Sequence, residues 1–320
     1  MEEANNLKSN LTKKRIPIIA LIFSLLAPGL GQVYNGQFYK AITLILFLRI
    51  CSLIFFVTGL ISTFGGLVIA TILELSIIIC IIVDAIIVST NSKIYKKKSY
   101  NKWYYYIFIF IVFSLISYVS LNHGNKYFKS YKIVSSSMEE SLLIGDRIAS
   151  NERYFNNRKI QRFNLIIFKD SRISNPDIKR VIGLPGDKIE IINKKVYLND
   201  KFIEQTFVKY IDESIISRDN GRIFWDDKFL GSRDNFGPIT VSENHYFALG
   251  DNRDVSADSR YLGLIKKENI IGYPLYILFS YGSDPIQDYK NYLTKYSKNL
   301  KSKYPTSKHL RWSRFGKNVE

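Results

Sequence analysis

The stretch DIKRVIGLPGDKIEI, Asp177 to Ile191, sets two short apolar runs on either side of a turn containing Pro185, Gly186 and Asp187. Adjacent Pro and Gly break both regular periods and favour a chain reversal, so the runs read as neighbouring strands rather than one helix. Short β-type segments of the same kind recur at LIIF 165–168, KRVIGLP 179–185, KIEII 188–192, KVYL 195–198 and HYFAL 245–249. No long helical period intervenes, which predicts a mainly all-β domain from residue 122 to 320.

Upstream the pattern changes. Hydrophobic segments at about 16–30, 41–63, 67–90 and 104–121 make residues 1–121 a membrane region. The runs 41–63 and 67–90 are each long enough to span and meet at Phe64-Gly65-Gly66, the expected turn of a helical hairpin. The first run is short, contains Pro28 and Gly29, and follows Lys13, Lys14 and Arg15. It reads as a re-entrant segment or a leader-like start, and the later spans favour retention as an anchor. Counting spans therefore gives three or four. Lysines between Lys93 and Lys102 belong on the cytoplasmic side by the positive-inside rule, so the last run would carry residues 122–320 outward. Arg49 and Asp84 come to similar depth in the hairpin and are expected to pair, whereas Glu74 has no evident partner. The stretch SLLAPGLGQVYNGQFYKA resembles small two-helix membrane modules.

The formal charge is +17, but its cations cluster beside apolar spans and in the C-terminal tail, which suits an anionic membrane surface better than nucleic acid. Zinc, helix-turn-helix and phosphate-loop patterns are missing from the sequence. The two cysteines, Cys51 and Cys80, both fall in apolar segments, so the C-terminal domain has neither disulfides nor a Cys nucleophile. The three histidines, His123, His245 and His309, are scattered, which weakens any Ser-His-Asp reading.

Three separated pieces are left to carry chemistry. IVSSSMEESLLIGDRI contains Ser135, Ser136, Ser137 and Met138; alone it is an ordinary polar loop. In DIKRVIGLPGD, Lys179 lies between Ile178 and Val181. Desolvation favours a neutral amine that can take a proton from a hydroxyl, although a lysine at a strand edge can equally snorkel to water. In FALGDNRDVSADSRYLG, acids, bases and small polar residues alternate in a loop after a strand, and Arg253 and Arg260 argue against a metal.

In this order and spacing the pieces resemble the signature boxes of bacterial type I signal peptidases, with the likeness running over residues 104–320. The resemblance implies a membrane-anchored, signal-peptidase-type catalytic domain that removes signal peptides from exported preproteins with a Ser/Lys dyad and no cofactor or metal. It makes Ser137 the nucleophile and Lys179 the general base, with Ser135 an oxyanion donor and Ser256 orienting the amine. Asp251, Asp258, Arg180 and Arg260 fall on bracing positions. It also implies the bacterial inner membrane, with the catalytic domain on the outer side and touching the bilayer. Two departures stand out. Glu139-Glu140-Ser141 replaces a variable residue, Pro and Thr, and Arg162-Phe163-Asn164 replaces Arg-Gly-Asp. They leave open a dedicated Ser-Lys maturation protease or a catalytically impaired scaffold. Arg311-Trp312-Ser313-Arg314 resembles the family's closing segment, which suggests that the chain is complete.

Overall fold

The computed structural model describes residues 12–13, 15–91, 95–96, 100–124, 127–156, 158–170, 175–225, 227–283 and 308–319. Lys14, most of the basic stretch between Lys93 and Lys102, and the tail from 284 to 307 lie outside the described residues. The chain divides into two compact units, Met1–Asn125 and Lys126–Glu320.

In the first unit, β1 (Thr12–Lys13) is followed by α1 (Pro17–Leu26), α2 (Leu30–Tyr34), α3 (Phe38–Val57), α4 (Phe64–Asn91), β2 (Tyr95–Lys96) and α5 (Trp103–Gly124); β1 and β2 pair antiparallel. Pro17 opens α1 at its first turn, where a missing N–H is harmless, and Gly29 at φ 95° breaks the chain before α2. Among the described residues three helices, α3, α4 and the Trp103–Ser120 stretch of α5, are long and apolar enough to cross a membrane, and α1 is not.

The hairpin turn differs from expectation. Helix α3 stops at Val57, Gly59 takes φ 69°, a 3-10 turn covers Leu60–Ser62, and Phe64-Gly65-Gly66 is the first turn of α4. A left-handed glycine just past a helix end is a strong stop. Gly66 is needed for a different reason: a Cβ there would lie 1.9 Å from the Leu60 carbonyl oxygen.

The expected Arg49–Asp84 pair is also corrected. Lys40 Nζ lies 2.6 Å from Asp84 Oδ1, since Lys40 in the first turn of α3 is level with the end of α4. Arg49, roughly two and a half turns further along α3, donates to Ser117 Oγ on α5 and lies 4.9 Å over the Phe113 ring. Glu74 does have a partner, Ser52 Oγ at 2.6 Å. The GLGQVYN stretch acts as a polar lock. Gln32 Nε2 donates to Ile81 O at 2.7 Å, Asn35 Nδ2 to Ala85 O at 2.6 Å, and Asn101 Nδ2 to Val33 O at 2.8 Å.

The second unit is mostly β. Its strands are β3 (Phe128–Lys132), β4 (Asp146–Asn151), β5 (Leu165–Phe168), β6 (Asp177–Gly183), β7 (Lys188–Ile192), β8 (Lys195–Leu198), β9 (Lys201–Phe202), β10 (Ile223–Trp225), β11 (Lys228–Gly231), β12 (Phe236–Thr240) and β13 (His245–Leu249). After a short helix α6 (Ser259–Leu262) come β14 (Ile265–Lys266), β15 (Ile270–Gly282) and β16 (His309–Leu310). One sheet runs β10-β11-β12-β7-β8-β9; the other runs β14-β13-β6-β5-β15-β4-β3, with β16 added to β15.

All five strand segments legible in the sequence form strands. The Leu184–Asp187 turn is fixed by Asp187 Oδ2, which accepts from Leu184 N at 2.7 Å and pairs with Arg162 at 3.0 Å. Strand β15, with 13 residues the longest, was not anticipated. Pro274 interrupts its pattern, and the structure accommodates it at an irregularity opposite Ser150. Ile182, Ile189, Ile191, Phe236, Phe247 and Leu249 form one core cluster, and Met138, Leu142, Ile148, Leu165, Ile167 and Ile277 form another beneath the serine segment. Fully burying side chains of this size stabilises by about 1.5–3 kcal/mol each.

Candidate active site

The serine segment is the long loop of the β3–β4 hairpin. Its base is closed by Ile133 N donating to Asp146 O at 2.8 Å and Gly145 N donating to Ile133 O at 2.9 Å. Gly145, at φ 91°, has no room for a side chain, because a Cβ would meet the Tyr281 carbonyl oxygen at 2.1 Å. Asp146 is fully buried and anchors this turn. It accepts from Leu143 N at 2.8 Å and Ser280 Oγ at 2.6 Å, and pairs with Arg314 at 2.6 Å and Arg311 at 3.4 Å. Arg314 also donates to the Ser141 carbonyl at 2.9 Å, so the C-terminal segment holds the serine loop from outside. Sequence reasoning missed Asp146 and saw the two arginines only as a family-like ending.

Strand β6 supplies the lysine. Lys179 pairs with Ile166 across β5, and its side chain is only 1 % exposed. Lys179 Nζ lies 3.1 Å from Ser137 Oγ, within reach for general-base transfer. The same nitrogen lies 2.5 Å from Asp177 Oδ2 and 3.2 Å from the Ile178 carbonyl oxygen. Ser137 is buried, and Ser135 Oγ is 3.2 Å from its hydroxyl. Ser256 is buried nearby, with the Asp258 carboxylate its polar neighbour; its Oγ makes no well-formed hydrogen bond, and Lys179 is held by Asp177 instead.

The loop after β13 grips the nucleophile through backbone. Asn252 N donates to the Ser137 carbonyl at 3.0 Å. Gly250 packs so closely that a Cβ would lie 2.5 Å from the Ser137 carbonyl oxygen and 2.2 Å from Ser256 Oγ. Asp251 forms a two-point pair with Arg180, Nε to Oδ1 and Nη2 to Oδ2, both at 2.9 Å. Ser141 joins them, donating to Asp251 at 2.6 Å and accepting from Arg180 at 2.8 Å. Asp258 and Arg260 form a second buried pair at 2.8 Å, and Arg260 donates to the Arg253 and Arg233 carbonyls. Burial alone would raise the Asp258 carboxyl, but Arg260 and the Gly250 N–H outweigh it and hold it below the usual carboxylate range. Its contribution to stability is therefore present above the ordinary carboxylate range and is lost as pH falls through its lowered value.

The departure at Glu139 is neutralised locally. Glu139 pairs with Lys209 at 2.9 Å and accepts from Asn252 Nδ2 at 3.3 Å. Lys209 N donates to Asp251 O, and Arg253 N donates to Lys209 O, so the 209 segment is stitched onto the same loop. A cleft of about 280 Å³ opens beside Ser137, lined by Ile133, Val134, Met138 and Ile178 among apolar groups and by Asp177 at its polar side. Among the described residues no group of three or more His, Cys, Asp or Glu side chains could hold a metal ion.

Fold and site together define a mostly β domain carried behind apolar helices, with a serine hydroxyl beside a buried lysine. The family model described as signal peptidase, peptidase S26, matches residues 100–279. The chain belongs to this family. It is 29% identical over 196 residues to signal peptidase I P of Bacillus subtilis subsp. natto, covering 61% of this chain and 97% of that one. To signal peptidase I V of Bacillus subtilis (strain 168) it is 34% identical over 152 residues, 46% of this chain and 84% of the relative. To signal peptidase I of Rickettsia typhi it is 42% identical over 141 residues, 38% and 53% respectively. A crystal structure of a signal peptidase I from Enterococcus faecalis V583 shares 33% identity, covering 36% of this chain and 97% of that one with a TM-score of 0.28. Type I signal peptidase function and a peptidase activity follow at the level of the family.

Proposed function

We propose that the chain cuts signal peptides from exported preproteins with a Ser137/Lys179 dyad. The single observation that carries this reading is the 3.1 Å approach of the buried Lys179 Nζ to Ser137 Oγ. As a free amine, Lys179 takes the hydroxyl proton while Oγ adds to the scissile carbonyl carbon. The developing oxyanion is received by the Ser137 N–H and the Ser135 hydroxyl; donors of this kind are worth about 3–4 kcal/mol of barrier each. The C–N bond then breaks, the proton passes from Lys179 to the leaving amine, and an ester remains on Ser137. Lys179 next takes a proton from water as the water attacks the ester, releasing the acid and restoring the hydroxyl. The apolar cleft beside Ser137 suits an extended chain with small residues at the first and third positions before the cut.

Ser256 is read as a neighbour that orients the amine when substrate closes the site, and Asp251–Arg180 and Asp258–Arg260 as braces. Residues 122–320 are read as the exported peptidase domain and residues 1–121 as its anchor in the bacterial inner membrane. The bilayer is the partner that the positive charge addresses, and nucleic acid is not. The test is cleavage of a preprotein carrying Ala-x-Ala by the full chain in lipid vesicles. Ser137→Ala and Lys179→Ala are each expected to lower cleavage by at least about 10⁴-fold while the chain still folds and inserts. Processing at more than a few per cent of the parent rate by either variant would sink the dyad.

A further inference from the structure

Asp177 is the one acid that reaches the lysine, and neither composition nor motif gave it a role. Residues 177 and 179 lie two apart on β6, so their side chains leave the same face. One carboxylate oxygen of Asp177 meets Lys179 Nζ at 2.5 Å while the other accepts from Ile178 N at 2.8 Å, which fixes the group at both ends. Lys179 Nζ thus has three acceptors, Asp177, Ser137 Oγ and the Ile178 carbonyl, matching the three hydrogens of an ammonium.

The acids on the loops around the site are already paired, and one further cation, Lys132 on β3, lines the same cleft as Asp177. Glu139, on the serine loop, is held by Lys209; Asp251 faces Arg180; Asp258 faces Arg260. Strand β5, paired with β6 on one side, is Leu165-Ile166-Ile167-Phe168 and carries no charge. On the other side β13 has only His245, which sits opposite Lys266 at its far end. Among the described residues the ion pair that Asp177 makes is with Lys179. Its side chain is 28 % exposed and lines the cleft beside Ser137, so an entering peptide meets it directly.

We infer that Asp177 is a positioning residue that aims the Lys179 amine at Ser137. This rests on the Ser137/Lys179 reading. Asp177→Asn keeps the shape and an acceptor oxygen but removes the charge, and Asp177→Ala removes the acceptor as well.

The experiment is kcat and KM measured separately for the full chain in vesicles, on an Ala-x-Ala preprotein, for Asp177→Ala and Asp177→Asn, with Ser137→Ala and Lys179→Ala alongside. Asp177→Ala should lose about tenfold in kcat with KM little changed, because the amine is no longer held against Ser137 Oγ. Asp177→Asn, which keeps an acceptor oxygen for the amine, should recover most of that loss. A parent-like kcat in Asp177→Ala, or a loss confined to KM, overturns the inference while leaving the dyad intact. Full activity in Ser137→Ala or Lys179→Ala removes the dyad, and this inference with it.

Discussion

Phe163 sits at φ 69°, a conformation that is costly for a bulky side chain and easy for glycine, at the position where the resembling motif reads Gly between Arg and Asp. The structure shows what offsets the strain. The Phe163 ring packs at 5.3 Å against Phe207, whose own face carries the Arg180 guanidinium at 4.1 Å, and the Phe163 carbonyl accepts from Arg180 Nη1 at 3.0 Å. The aromatic thus helps to hold the arginine that braces Asp251. Phe163→Ala should lose about 1–3 kcal/mol of packing and keep the strain, whereas Phe163→Gly loses the same contacts but relieves the backbone. Thermal or urea unfolding is expected to rank the glycine variant above the alanine variant by about 1 kcal/mol. The reverse order would mean that the left-handed turn is not strained. The roles of single residues were the least legible feature of the sequence. Lys179 stood out because a lysine in an apolar run is unusual, but Asp177 and Asp146 looked like ordinary acids at strand ends. Their partners, Lys179 nearby and Arg314 at the far end of the chain, are set by folding.

The loop after β13 works as an element, and its backbone does as much as its side chains. Gly250 lets Asn252 reach the Ser137 carbonyl, and a methyl group at that position would have to displace either that carbonyl or Ser256. Gly250→Ala is therefore expected to shift the nucleophile by a sizeable fraction of an ångström and to cut kcat by about 10²-fold, with circular dichroism unchanged. A variant with more than half the parent rate would show that the loop yields without cost. The element scale was also where the sequence read best. Short apolar runs between turn residues marked β5, β6, β7, β8 and β13, and β5, β6 and β13 are buried at nearly every residue, so a continuous run rather than an alternation is their signature. The reading failed for β15, whose Pro274 breaks the run, and for the hairpin turn, where Gly65-Gly66 looked like a bend although Gly59 is the residue that makes it. The acidic pair Glu139-Glu140 looked disruptive beside a nucleophile, yet Lys209, distant in sequence, neutralises Glu139.

At the scale of the whole molecule, the open question in the sequence was the number of spans. Helix α1 has 10 residues and so reaches about 15 Å, half of the roughly 30 Å of a bilayer core. The remaining helices α3, α4 and α5 give three crossings. With three, the charges agree: Arg15 and Lys40 fall on the side of the lysines between Lys93 and Lys102, and the turn at 58–63, which carries no charge, falls on the other. Helix α4, at 28 residues about 42 Å long, exceeds the core thickness, and a crossing by it would require tilt or an end outside the core. An odd number of crossings starting inside would put residues 127–320 outside, as proposed above. The arrangement can be tested on intact cells after Cys51→Ser and Cys80→Ser, by single cysteines added with Lys98→Cys or with Glu213→Cys at an exposed position of the second unit. A membrane-impermeant maleimide should label the Glu213→Cys protein at once and the Lys98→Cys protein only after permeabilisation. If α1 crossed as a fourth span, the basic start and the Lys40 loop would lie on opposite sides. A cysteine introduced by Lys8→Cys would then label in intact cells, whereas three crossings keep it hidden. Labelling of Lys98→Cys with Glu213→Cys protected would invert the protein and move the proposed site to the wrong side for exported substrates.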